Sequence, residues 1–243
     1  MISAKKISAA VCITALSLLT GCSSQAKTSD TVLWMNGTYA VLTELNNGDY
    51  TLLGGMKNSS LNQKVEIKSL EDWWEVTDRE SAEETLDWLL TEGHRTDFAS
   101  LMQSLEEQGA SELTEDELVS ALSEAAEDEE QGKYLAKSYA DYLEYGETAI
   151  DGWDYCRAMS LLGSYYIAGY YTEQEALDQS MEIAKIIQSS FTSWDELMDS
   201  YFRGYEYWSS ESSQERRTIY EDIKGKENSP YQLDWNLSLE KTW

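Results

Sequence analysis

The chain has 243 residues, 12% of them aromatic, and a formal net charge of −27 at pH 7. That length supports one sizeable core, and a single proline leaves almost nothing to interrupt helices. The charge speaks against nucleic acid, which needs clustered Lys and Arg, and against electrostatic attachment to an anionic membrane; it suits a solvated surface or a cationic protein partner.

Met1 to Gly21 reads as a targeting segment. Lys5 and Lys6 form a positive start, and Ile7 to Leu19 an apolar run too short for a permanent membrane span. It ends in Leu19-Thr20-Gly21-Cys22, which resembles the lipobox of bacterial lipoproteins. That resemblance implies cleavage before Cys22, a diacylglyceryl group on its thiol, and a protein held by lipid on the extracytoplasmic face of the cell membrane. Two acyl chains suffice for stable anchoring. Residues 22–30 then form the lipidated cysteine and a short polar tether expected to be disordered, and 31–243 one helical domain.

In Thr31 to Asn46 a helical stripe (Trp34, Thr38, Val41, Leu42, Leu45) competes with a hairpin signal at Asn46-Asn47-Gly48-Asp49. The helical remainder of the chain favours helix, followed by a loop to Lys64 and a short helix from Ser69 to Glu75. Thr77-Asp78-Arg79-Glu80 reads as a capping box. Gly93 is expected to close the helix after it, with His94, the only histidine, and Arg95 at its C-terminal end, where cations are favoured. Phe98 to Leu105 marks the next helix. Thr114-Glu115-Asp116-Glu117 is a further capping box. The acidic run Glu124 to Glu130 predicts a solvated turn, and Tyr134 to Tyr145 another helix closed by Gly146.

Gly152 to Trp208 organises the rest. A helix from about Asp151 to Ala168 is apolar on nearly every face, as a central helix is, and Gly169 ends it. Thr172-Glu173-Gln174-Glu175 and Ser193-Trp194-Asp195-Glu196 open the next two helices as capping boxes. A last helix runs from Ser212 to Gly225, and the tail to Trp243 docks by its apolar side chains.

The only charges inside the central helix are Asp154 and Arg157, three residues apart and able to pair. Two readings stand: a buried ion pair that fixes helix packing, or a pocket in which Arg157, with Tyr166 and Tyr170, binds an anion. Cys156 reads as a small buried hydrophobe. One histidine and one remaining cysteine leave no Cys/His zinc site within a chain, and no phosphate loop, dinucleotide turn or Gly-x-Ser-x-Gly elbow occurs. No catalytic residue, metal or cofactor is assigned.

W-D-x-x-R-A at Trp153–Ala158, A-G-Y at Ala168–Tyr170, Glu175-Ala176, Q-x-x-F-x-S-W-x-E from Gln188, and Y-x-x-G-Y-x-x-W from Tyr201 resemble the bacterial domain-of-unknown-function family 1266. The run Trp73 to Arg95 resembles that family's opening motif, with Glu75 where the pattern has glycine after Trp74. The resemblance spans Trp73 to Trp208 and implies a helical fold with no assigned activity. The leading expectation is a non-enzymatic interaction or scaffold module with an unknown protein partner. The alternatives are a carboxylate-dependent hydrolase of envelope glycan or peptide, for which an acid with a raised pKa must sit in a cleft, and a small-anion binder using Arg157.

Overall fold

A computed structural model describes residues 28–243. The targeting segment, Cys22 and the tether as far as Lys27 lie outside the described residues. The end of the expected tether is held, not disordered: Thr28 Oγ1 donates to the Thr51 carbonyl at 2.7 Å, and Ser29 caps the first helix, accepting from Val32 N.

The expected fold class holds, all-α and single-domain, with eleven α-helices and no strand among the described residues. The stretch expected as one helix is two, α1 (Asp30–Gly37) and α2 (Ala40–Leu45), because the Thr38 and Tyr39 amides turn back onto Met35 and Asn36 carbonyls. No hairpin forms there. α3 runs over Ser60–Trp74, capped by Ser59; it takes in the last five residues of the expected loop and extends the expected short helix backwards. Only Leu70 of this helix is fully buried, so no apolar stripe announces its first half. It ends on Glu75 at φ 57, a left-handed residue at the place where the family pattern carries glycine.

α4 (Arg79–Thr91) is capped by Asp78 with Ser81, one position later than the box read from Thr77. α5 (Gly93–Glu107) follows after Glu92 alone, so Gly93 opens a helix instead of closing one. α6 (Glu115–Ala126) has the expected Thr114–Glu117 box, and α7 (Glu129–Tyr145) follows a turn of only Glu127 and Asp128. The acidic run is therefore mostly helical. Gly132 lets α6 and α7 touch: a Cβ there would lie 2.5 Å from the Ser123 amide nitrogen.

α8 (Asp151–Ala168), α9 (Glu173–Ser190) and α10 (Trp194–Ser209) match the sequence reading, with Gly169 left-handed and the Thr172–Glu175 box formed. At α10 the box is offset: Ser193 accepts from Glu196 N, but the Glu196 carboxylate turns to Thr192. α8 is the hub, packed against α3, α4, α9 and α10. Its side chains Met159, Leu162 and Tyr165 are wholly buried in the main core, while Phe98, Met102, Leu118 and Tyr139 build a smaller core among α5, α6 and α7. α11 (Gln214–Lys224) precedes the tail, which docks as expected: Trp235 is buried and its Nε1 donates to the Phe191 carbonyl at 3.0 Å.

Candidate functional site

Asp154 lies in the first turns of α8 and is completely buried. It does not pair with Arg157. Its Oδ1 accepts from the His94 amide at 3.2 Å and from His94 Nδ1 at 2.7 Å. Its Oδ2 accepts from the Arg95 amide at 3.0 Å and from Arg95 Nη1 at 3.5 Å. The carboxylate thus sits on the free amides that open α5, where an anion is favoured. Gly93 makes this approach possible: at φ +63 a Cβ would fall 2.7 Å from Asp154 Cγ. Arg95 reaches back to the last turn of α4, donating to the Leu89 and Leu90 carbonyls at 2.8 and 2.6 Å. The cation expected at that helix end is there, but delivered from the next helix.

His94 links the clasp to Arg157, whose Nη1 lies 3.5 Å from His94 Nε2. An arginine only donates, so Nε2 is the acceptor and the proton sits on Nδ1, toward Asp154. The Arg157 guanidinium is stacked among three indoles: Trp74 at 4.2 Å, Trp153 at 4.6 Å and Trp208 at 5.3 Å. It has no carboxylate partner within 4.0 Å among the described residues. Burial pushes its pKa down to about 10, against the charge of Asp154, which raises it. None of its nitrogens is among the buried polar atoms lacking a partner, whereas Trp153 Nε1 is. Arg157 is partly exposed, beside the half-exposed Trp208.

Tyr166 and Tyr170 do not belong to this cage. Tyr166 is nine residues beyond Arg157, on the opposite side of α8 at about 100° per residue. Tyr170 follows the helix end, and its hydroxyl is buried with no partner. Cys156 is buried, and burial raises its thiol pKa, so it is not a thiolate nucleophile. Among the described residues no three His, Cys, Asp or Glu side chains converge as metal ligands do.

The described chain matches the family model "Protein of unknown function (DUF1266)" over residues 69–235. The chain belongs to the DUF1266 family. The matched region contains every member of the Asp154 clasp and the Arg157 cage. Neither the curated proteins nor the solved structures contain a match to it.

This DUF1266 member also carries a cleft that its sequence did not reveal. A cleft of about 520 Å³ is lined by Tyr145, Asp151, Phe191, Glu196, Asp199 and Arg203, among others. Asp151 is raised to about 6, chiefly by burial; Arg95 lowers it and Asp154 raises it. The folded state therefore holds this proton more tightly than the unfolded chain. Stability falls as pH rises from the ordinary value of 3.8 through about 6, then levels. A shift of that size is worth about 3 kcal/mol, and partial exposure reduces it to about 1–2 kcal/mol. Asp151→Asn is expected to unfold at higher temperature than wild type at pH 7.5 and to converge with it near pH 4. Parallel melting curves at both pH values would remove the burial argument.

Proposed function

We propose that the protein is a lipid-anchored, non-catalytic recognition module on the extracytoplasmic face of the cell membrane, and that it recognises an anionic group through Arg157. The observation that carries the recognition half is the guanidinium held among Trp74, Trp153 and Trp208 with no carboxylate of its own. A planar, permanently charged fork between aromatic faces suits a carboxylate or phosphate attached to an apolar or aromatic body. The neighbouring groups are committed elsewhere: Asp154 accepts from four donors, and both His94 ring nitrogens are engaged.

The deciding experiment is thermal unfolding of the full chain with acetate, benzoate or inorganic phosphate added, wild type against Arg157→Met. Benzoate is expected to raise the wild-type melting temperature and leave Arg157→Met unmoved, as binding to the native state alone requires. Without ligand the variant should be about as stable as wild type, since an apolar side chain replaces a partly desolvated charge that has no carboxylate partner. A variant that loses several kcal/mol makes Arg157 structural and sinks the reading.

The anchor is supported by the run Leu19-Thr20-Gly21-Cys22. Labelled palmitate is expected to enter wild-type protein and not Cys22→Ala; equal labelling of both removes it.

One observation favours a second reading, a hydrolase using Asp151 as general acid: the raised carboxyl in its cleft beside Glu196 and Asp199. It requires turnover of an envelope glycan or peptide that Asp151→Asn abolishes.

A further inference from the structure

α9 and the C-terminal tail enclose an open groove of about 670 Å³, a size that suits a small apolar ligand. Its wall is Met181, Ile183 and Ile186 from α9, facing Leu239 and Trp243 of the tail. Ile186 is 41% exposed. In a chain of net charge −27 the groove is locally neutral. Lys241 pairs with Asp178 at 2.6 Å, and Lys185 with Glu182 at 2.7 Å. Trp243 Nε1 also donates to Asp178, and these partners hold that carboxyl below its ordinary value.

The position of the chain's N-terminal side identifies the occupant. Ser29 Oγ lies 2.7 Å from Thr242 Oγ1, and Thr242 stands between Lys241 and Trp243, both of which line the groove. Thr31 accepts from the Glu240 amide, so the start of α1 and the tail run together. From Thr28 back to Cys22 the chain spans at most about 20 Å when fully extended. A lipid on Cys22 therefore keeps this edge within reach of the bilayer surface. Residues 23–27, Ser-Ser-Gln-Ala-Lys, supply no large apolar side chain to fill the groove. A tryptophan and two lysines at the rim suit the interface, where indole rings sit at headgroup level and lysine stems lie along apolar surface.

We propose that the groove takes an acyl chain of a lipid in the membrane that holds Cys22, seating α9 and the tail on the bilayer. This rests on the lipid anchor proposed above. Burying Ile186 and the Trp243 edge against lipid adds an apolar contact to the covalent anchor. It also fixes which face of the domain points away from the membrane.

The test uses the full lipidated chain in phosphatidylcholine vesicles, with a nitroxide on Ile186→Cys or, as a reference, on Leu143→Cys, which is exposed on α7. Both are surface replacements, and Cys156 is buried from the label. In protein that floats with the vesicles, the label at 186 is expected to meet dissolved oxygen more readily than a water-soluble nickel chelate. The label at 143 is expected to show the reverse. Equal access of the chelate to both positions overturns the groove proposal while leaving the anchor intact. Protein that neither floats nor takes up labelled palmitate overturns the anchor, and the groove proposal with it. Spin–spin broadening at 186 in detergent, with a doubled mass, would assign the groove to a second copy instead.

Discussion

Asp154→Ala is expected to lower stability by about 3–5 kcal/mol, the usual result of stripping one partner from a buried charged network. For a domain of this size that is a fall of roughly 10 °C in melting temperature. Three consequences act together. The His94 and Arg95 amides lose their acceptor at the start of α5, Arg95 keeps a buried charge without its carboxylate, and the α4–α5 joint loses its tie to α8. Asp154→Asn preserves the shape but turns an amide NH₂ toward donors, so it recovers only part of the loss. A double-mutant cycle separates this clasp from the i,i+3 pair suggested by sequence spacing. Coupling is expected between Asp154 and Arg95, and little between Asp154 and Arg157. Strong coupling to Arg157 and none to Arg95 would refute the assignment.

What the sequence revealed follows from which interactions are local. Capping boxes at Thr114 and Thr172 lie within four residues and formed as read. So did α8, apolar on nearly every face, and the stripes of α9 and α10, which bury a face against it. The first half of α3 leaves no pattern in the sequence because its first turns bury nothing, and helix there rests on the Ser59 cap and on Leu70. Gly93 is ambiguous in sequence because a positive φ serves equally to end one helix or begin the next. The Asp154 clasp joins residues sixty apart in the chain, beyond any periodicity, so spacing alone pointed to Arg157. The one available signal was Gly93-His94-Arg95 itself: a glycine followed by two donors, placed between two helical stripes. The Asp151 cleft leaves no trace in the sequence, because it forms where α8, α10, the ends of α7 and α9 and the turn before α8 meet.

Gly204→Ala sets two known magnitudes against each other. In an exposed helix the change stabilises by about 1 kcal/mol through backbone propensity. At position 204 the added methyl would lie 2.8 Å from Trp153 Cγ and 3.3 Å from Ile150 Cβ, and well inside van der Waals distance of Trp153 Cβ. Those are atoms close to the α8 backbone, not the far end of a flexible side chain. Trp153 cannot retreat, being 4% exposed and enclosed by Tyr201 at 5.3 Å, Trp208 at 5.6 Å and the Arg157 guanidinium. Overpacking of this kind costs about 1–3 kcal/mol, and here whole helices must part, which places the cost at the upper end. The net expectation is a loss of about 2 kcal/mol, or roughly 4–8 °C in melting temperature. Because the parting helices carry Trp153 and Trp208, two walls of the Arg157 cage, the same variant is expected to lose the stabilisation by benzoate that wild type shows. Trp208→Ala offers the contrast: the residue is half exposed, so its removal should weaken the ligand response at smaller cost to the fold. If Gly204→Ala melts at or above wild type, α8 and α10 are not packed as closely as their glycines require, and the cage built between them is wrong as well.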